Sequence, residues 1–366
     1  MTIQGATPED TRRFDDDGRQ YDALLVLSFG GPEGPDDVMP FLENVTRGRN
    51  VPKERLVEVS EHYLHFGGVS PINEQNRALI RALNHEFDKS GVHLPIYFGN
   101  RNWDPFVTDT VRQMAHEGVQ RSLVFVTSAL SSYSGCRQYR EDVLRAKEAV
   151  GPGAPEFDKI RVFYNHPGFI GPMAQLTSQT MERIPLGRKP TTRLVFTAHS
   201  IPNSMARHCA YELQLSEASR LIAKLSGLPE HQIAYQSRSG PSHVPWLEPA
   251  ILDTLRKLRA IGATDVVIVP VGFISDHMEV LFDLDTEAQE EARNAGLHLH
   301  RVPTVGTHPD FVRMIRDLVL ERCTQLPDRP ALGTRGPNHD ICPANCCLIG
   351  ESARPTLVQM ESSNLA

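Results

Sequence analysis

An α/β fold of two doubly wound halves, with parallel sheets facing a central cleft, is predicted by three observations. Short β-rich runs alternate with helical patterns of a dozen or more residues, which is the pattern of βαβ units. The chain has 366 residues, too many for one small core. One strand–turn–Pro design also occurs twice, as Leu27-Ser28-Phe29-Gly30-Gly31-Pro32 and again as Phe196-Thr197-Ala198-His199-Ser200-Ile201-Pro202.

Residues 1–20 hold almost no apolar periodicity and read as a disordered N-terminal arm. Strands are expected at 23–29, 96–99, 123–127, 160–164, 194–197, 233–236, 266–271 and 297–302, with helical patterns at 73–89, 104–117 and 246–261. The first half is expected to span 21–180 and the second 181–325. The boundary falls near 175–190, where Pro185, Gly187 and Pro190 interrupt the chain. A helix at about 310–323 precedes a turn-rich linker, and residues 326–366 form that linker and a cysteine-rich tail.

The formal net charge of −7 disfavours a nucleic-acid partner. No apolar run approaches the roughly 20 residues of a membrane span, and residues 1–20 are polar and acidic without an apolar signal core. A cytoplasmic monomer without membrane insertion is therefore expected. Six cysteines in so long a chain argue against a disulfide framework and point to reduced thiols or metal ligands.

Chemistry is expected where Pro270-Val271-Gly272-Phe273-Ile274-Ser275-Asp276-His277-Met278-Glu279 leaves an apolar strand. Continued as a helix, this segment sets Glu279, Asp283 and Glu287 at i, i+4 and i+8, lining one face with three carboxylates. Stacked like charges cost stability unless a cation neutralises them; a solvated acidic face is the alternative. A second motif, Thr197-Ala198-His199-Ser200-Ile201-Pro202, also follows an apolar strand, and ligands of open α/β sheets gather at such strand ends.

Five motifs in order, Leu27 to Pro32, Phe66-Gly67-Gly68-Val69-Ser70-Pro71, Ala198 to Pro202, Pro241 to Trp246 and Pro270 to Glu279, closely resemble those of the ferrochelatases over roughly residues 21–325. The resemblance implies two Rossmann-like, chelatase-like domains that hold a porphyrin between them and insert Fe²⁺, the metal being substrate. It implies that His199 and Glu279 are the catalytic pair on the metal side, with Asp283 and Glu287 as a delivery path. The residue chemistry agrees. A neutral imidazole accepts protons and ligates a borderline metal, while a carboxylate supplies a hard anionic oxygen. The resemblance further places Arg47, Tyr63, Ser70 and Tyr139 against the propionates or ring edge. Phe29 stands where relatives often carry Tyr or Met and cannot coordinate iron. Asn102 stands where some carry His, and Trp246 reads either as a cleft wall or as a core aromatic.

Membrane-associated relatives carry a long apolar lip before the Gly-Gly-x-Ser-Pro motif. Here the corresponding stretch, Thr46-Arg47-Gly48-Arg49-Asn50-Val51-Pro52-Lys53-Glu54-Arg55, is short and basic. Coproporphyrin III has four carboxylates to protoporphyrin's two, and extra carboxylates favour Arg and Lys through charge-assisted hydrogen bonds. Coproporphyrin III is therefore the expected substrate. Protoporphyrin IX is the alternative, and a porphyrin carrier or redox sensor is the alternative from another class.

Cys342, Cys346 and Cys347 put three thiols within six residues, and Cys136, in the loop at 131–136, is a natural fourth. Cluster-bearing ferrochelatases similarly combine one internal cysteine with three near the C-terminus around a [2Fe–2S] centre. A four-thiolate zinc site is the alternative. Cys209 and Cys323 lie in helical patterns and read as packing residues.

Overall fold

A computed structural model describes residues 21–48, 51–240, 243–324 and 328–350. The arm expected at 1–20, the end of the tail from 351, and Arg49, Asn50, Pro241 and Ser242 lie outside these residues.

The run 23–28 is apolar except for its last residue and buried throughout, as befits a strand covered on both faces. It forms β1 (Ala23–Ser28), flanked by β2 (Ile96–Asn100) and β3 (Arg121–Val126), with β4 (Glu156–Lys159) beyond β3. All pairings are parallel, giving the order β2-β1-β3-β4. The second half repeats the permutation. β5 (Thr192–His199), β6 (Gln232–Gln236), β7 (Asp265–Val269) and β8 (His298–Arg301) form a parallel sheet in the order β6-β5-β7-β8. In each sheet the crossovers reverse direction beside the first strand, so the switch points lie between β1 and β3 and between β5 and β7. Crevices for ligands open at the carboxyl ends of such strands.

Strand alternation explains the layers. Leu24 and Val26 of β1 pack with Leu79, Leu83 and Phe87 of helix Ile72–Ser90, while Ala23, Leu25 and Leu27 meet helices Val107–His116 and Gln138–Val150. Likewise Val195 of β5 joins helix Ile251–Ala260, whereas Leu194, Phe196 and Ala198 join helix Tyr211–Leu225. One apolar cluster is shared by both sheets. It includes Phe169 and Met173 of helix Pro167–Glu182 and Phe311 and Ile315 of helix Pro309–Cys323. That last helix packs against Pro167–Glu182 and Ile72–Ser90, tying the end of the second sheet's chain back to the first.

Some expectations shift. The fourth strand is 156–159 rather than 160–164: the β3 ladder ends where Ile160 N–H reaches Val124 O at 2.9 Å. Residues 160–164 then leave the sheet and are buried, with Arg161 held by Glu321 through two 2.8 Å bonds. The helix expected from 246 starts at Ile251, because Trp246 bridges Pro202 and Leu247 N–H bonds Ile201 O. The continuous helix expected after Glu279 is divided into Met278–Phe282, a π turn Asp283–Glu287 and Ala288–Ala295. Cys136 also lies in a π turn, Tyr133–Arg137, at the matching place in the first half. Of the two cysteines read as packing residues, Cys209 sits in a turn with its thiol donating to Met205 O, and Cys323 is exposed at a helix end.

Candidate active site

His199 is the last residue of β5 and projects at the switch point beside β7. Its backbone is clamped: Tyr211 Oη donates to His199 O at 2.9 Å, and Ser200 N–H bonds Gln236 O at 2.7 Å. The ring's Nδ1 bonds the carbonyl of Ser200. A carbonyl only accepts, so Nδ1 keeps its proton, and Nε2 is the nitrogen that exchanges a proton or, once deprotonated, ligates a metal. Nε2 faces Glu279 Oε1 at 3.6 Å, an ion-pair separation rather than a short hydrogen bond. Glu279 opens helix Met278–Phe282, its own N–H donated to His277 Nδ1 at 3.2 Å and its carbonyl taken by Gln236 Nε2 at 2.8 Å. The two side chains are 29 % and 42 % exposed, open to the cleft.

Burial would lower the His199 pKa, but the Glu279 carboxylate and the Ser200 carbonyl outweigh it and hold the imidazole up at about 9. Burial would raise Glu279, yet His199 and His277 hold it down at about 2. The resting pair is thus imidazolium and carboxylate at neutral pH. Asp283 differs: burial, against the lowering effect of the Ser237 hydroxyl, lifts it to about 7, with Glu279 and Glu287 adding repulsion. One carboxylate is charged and its neighbour is poised to shed or take a proton. Ser237 Oγ donates to Asp283 Oδ2, with Gln236 Nε2 at 3.5 Å from the same atom, while Glu287 is exposed. π turns inside helices occur frequently at functional sites.

Sequence reading missed Gln236 and Ser237. Both belong to the end of β6, where Gln236 pairs in register with His199, and Ser237 takes a left-handed φ of 61° rare outside glycine. A polar pair ending the strand beside the one that carries His199 is the signal that marks them.

From the other half, the expected porphyrin contacts gather unevenly. Phe29 follows β1 and meets Phe41 edge-on at 6.2 Å; Tyr63 meets the same ring at 5.7 Å. Burial raises the Tyr63 phenol, and the charges of Glu279 and Asp283 raise it further. Tyr139 is buried under the Arg101 guanidinium, 3.8 Å from its ring centre. Ser70 is 5 % exposed and packs on Gly31, where an added Cβ would lie 2.6 Å from the Ser70 Cβ. The Gly-Gly turn therefore has to be glycine. Asn102 donates to Phe29 O at 3.2 Å, Arg47 is exposed at the end of helix Val38–Thr46, and Trp246 is half-buried over Gly240. Two contacts not anticipated bridge the halves. His62 stacks on Phe282 with ring centres 3.7 Å apart, and Gln75 bonds both the N–H and the carbonyl of Asp276.

The Ferrochelatase family matches residues 21–323. The chain belongs to the ferrochelatase family. A ferrochelatase from Rhodopirellula baltica is 57 % identical over 90 % of this chain and 93 % of its own. A coproporphyrin III ferrochelatase from Streptomyces coelicolor is 51 % identical over 90 % and 94 %. Among solved structures, SirB from Bacillus subtilis with Fe³⁺ is 13 % identical, covers 83 % of this chain and 96 % of that one, and superposes with a TM-score of 0.50, which shows a shared fold.

In this ferrochelatase the four cysteines of the sequence reading converge. Cys136 contacts Cys342 and Cys347, Cys342 contacts Cys346, and the Cys346 and Cys347 sulfurs are 3.4 Å apart. His339, which sequence reading missed, joins Cys342 and Cys346 with all three ligand atoms within 4.8 Å. Of the four thiols Cys342 is pulled down, by Cys136 and Cys346 first and then by His339 and Lys159, while Cys136, Cys346 and Cys347 are pushed up. Buried Arg137 donates to the carbonyls of Ala344 and Cys346 at 2.7 and 3.0 Å. Burial would lower the Lys159 ammonium, but Cys136 and Cys342 raise it. Soft sulfur donors ringed by cations suit a metal site of net negative charge.

Proposed function

We propose that this protein inserts Fe²⁺ into coproporphyrin III to give Fe-coproporphyrin III. The observation that carries the reading is His199 Nε2 facing Glu279 Oε1 at 3.6 Å where the two central strands of the second sheet end. Residues 21–180 and 181–325 would form the two walls around the macrocycle, with Phe29, Tyr63, Ser70 and Tyr139 on one wall and the metal-side pair on the other. Two pyrrole protons must leave and iron must shed water. Fe²⁺ arriving at Glu279 competes with the imidazolium for the carboxylate, which lowers the His199 pKa; the ring gives its Nε2 proton to solvent, and Nε2 then accepts the pyrrole protons one at a time, passing the first to solvent before taking the second. Asp283 and Glu287 would relay hydrated iron inward, Asp283 exchanging a proton for the metal near neutral pH.

Asp283→Asn and Glu287→Gln are expected to raise the apparent KM for Fe²⁺ more than they lower kcat, since neither residue acts in the proton-transfer step. Steady-state kinetics at varied iron check this; equal losses in both parameters would move them into the chemical step.

The preference for coproporphyrin III rests on the relatives named for it and on the basic, lip-free stretch around Arg47, Lys53 and Arg55, all exposed where described. Coproporphyrin III should show the higher kcat/KM against protoporphyrin IX in detergent-free anaerobic assay, and Arg47→Ala should narrow the gap. A protoporphyrin preference would overturn the substrate assignment while leaving metal insertion intact.

The donor set at Cys136, Cys342, Cys346 and Cys347 fits a [2Fe–2S] cluster. When bound it supplies a one-electron centre and a crosslink between the tail and the 133–137 turn. His339 beside Cys342 and Cys346 supports a second reading, a zinc site of sulfur and nitrogen ligands.

A further inference from the structure

The residues of the metal path ride on two short segments that repel one another. Glu279 follows the loop at 275–277, and Asp283 and Glu287 bracket a π turn whose neighbouring carboxylates press on Asp283. A fixed cation between these segments would hold them in register. Arg301, the last residue of β8, lies between them: Nη1 donates to Asp276 Oδ1 at 2.9 Å and Nε to Asp285 Oδ1 at 2.6 Å. Its side chain is 17 % exposed, and its backbone is locked by register with Ile268 and by Val302 N–H bonding Ile268 O at 2.8 Å. Asp276 lies three residues before Glu279, and Asp285 two after Asp283. Asp276 is in turn stapled to the first half, its N–H to Gln75 Oε1 at 2.8 Å and its carbonyl to Gln75 Nε2 at 3.2 Å.

We infer that Arg301 is a positioning residue for metal capture: its guanidinium fixes the loop carrying Glu279 against the turn carrying Asp283 and Glu287, and so sets the affinity for incoming Fe²⁺. The inference rests on the metal-insertion reading. A planar fork with separate donors spans two carboxylates at defined directions, which a lysine ammonium on a flexible stem does not. Supporting residues of this kind typically change metal affinity roughly 10–100-fold when removed.

Two effects of Arg301 oppose each other, which makes the test sharp. As a geometric brace it lowers the KM for Fe²⁺; as a positive charge it repels the same cation and raises it. Arg301→Met removes both, and Arg301→Lys removes the fork alone. The brace predicts that Arg301→Met raises KM for Fe²⁺ by roughly tenfold or more, that Arg301→Lys gives an intermediate rise, and that the porphyrin Kd from fluorescence titration is unchanged in both. Asp285→Asn severs only the arm to the π turn and remains informative if Arg301→Met folds poorly. It should raise KM in the same direction and add little in combination with Arg301→Met. An unchanged KM with only a lower melting temperature, or a KM that falls in Arg301→Met, overturns the brace. Absence of metallation by the wild type overturns the functional reading and this inference with it.

Discussion

His199→Ala and Glu279→Gln each lower metallation by roughly 10²- to 10⁴-fold, the usual cost of one positioned acid or base group, while porphyrin binding stays near the wild-type level. The separation follows from the proposed roles: His199 and Glu279 would act on protons and metal, and the expected ring contacts come from Phe29, Tyr63 and Tyr139 in the other half. Fluorescence titration gives the binding limb and anaerobic kinetics the rate limb. The electrostatics add a pH signature. Because Glu279 holds His199 at about 9, the ring must lose its proton before Nε2 can take another, so kcat/KM should climb with pH toward that value. In Glu279→Gln the supporting charge is gone, and the His199 titration followed by NMR should move down toward or below the ordinary histidine value. A variant within a factor of a few of wild type would remove the pair from the mechanism.

How much of this was legible beforehand depended on whether the information was local. β1, β5 and β7 are apolar on both faces, so burial on two sides reads directly as a continuous run, and the residues that end those runs were legible with them. The His199 and Glu279 motifs were found that way. The π turn was not, because one wider turn inside a helical pattern leaves the carboxylate spacing unchanged on paper. Nor were Gln236, Ser237 and Arg301, each of which acts from a neighbouring strand and becomes meaningful only through sheet register. The 160–164 run misled for a related reason. It is apolar since it enters the core shared by both sheets, not because it pairs with β3. Cys136 and the tail cysteines were legible from their density, whereas His339 gained its place only when the tail folded back against the 133–137 turn.

Replacing any one of Cys136, Cys342, Cys346 or Cys347 by Ser is expected to bleach a reddish-brown protein holding two irons and two acid-labile sulfides per chain. The physical reason is convergence: Cys136 meets the three tail thiols, two of the four buried and two half-buried, among Arg137, Arg140 and Lys159. Cluster loss should also loosen the tail, whose described anchors near the site are the Arg137 bonds to Ala344 and Cys346 and the Cys347 N–H bond to His208 O. Structural metals contribute their binding energy to folding. The melting temperature should therefore fall, by roughly 2–4 °C for each kcal/mol lost. Iron and sulfide analysis with calorimetry reads both effects. Colourless protein with one zinc per chain favours the site that includes His339, and bleaching by Cys209→Ser but not Cys347→Ser would replace the ligand set.

Single-turnover mixing tests the central claim most directly. Protein loaded with coproporphyrin III under nitrogen is mixed with Fe²⁺, and porphyrin fluorescence and the Soret band are followed together. Metal insertion at His199 and Glu279 predicts that the bound porphyrin's fluorescence is quenched in stoichiometric amount as the metalloporphyrin spectrum appears. A wild-type protein that binds the porphyrin yet leaves its fluorescence and spectrum unchanged on adding iron would be a carrier and would contradict the account.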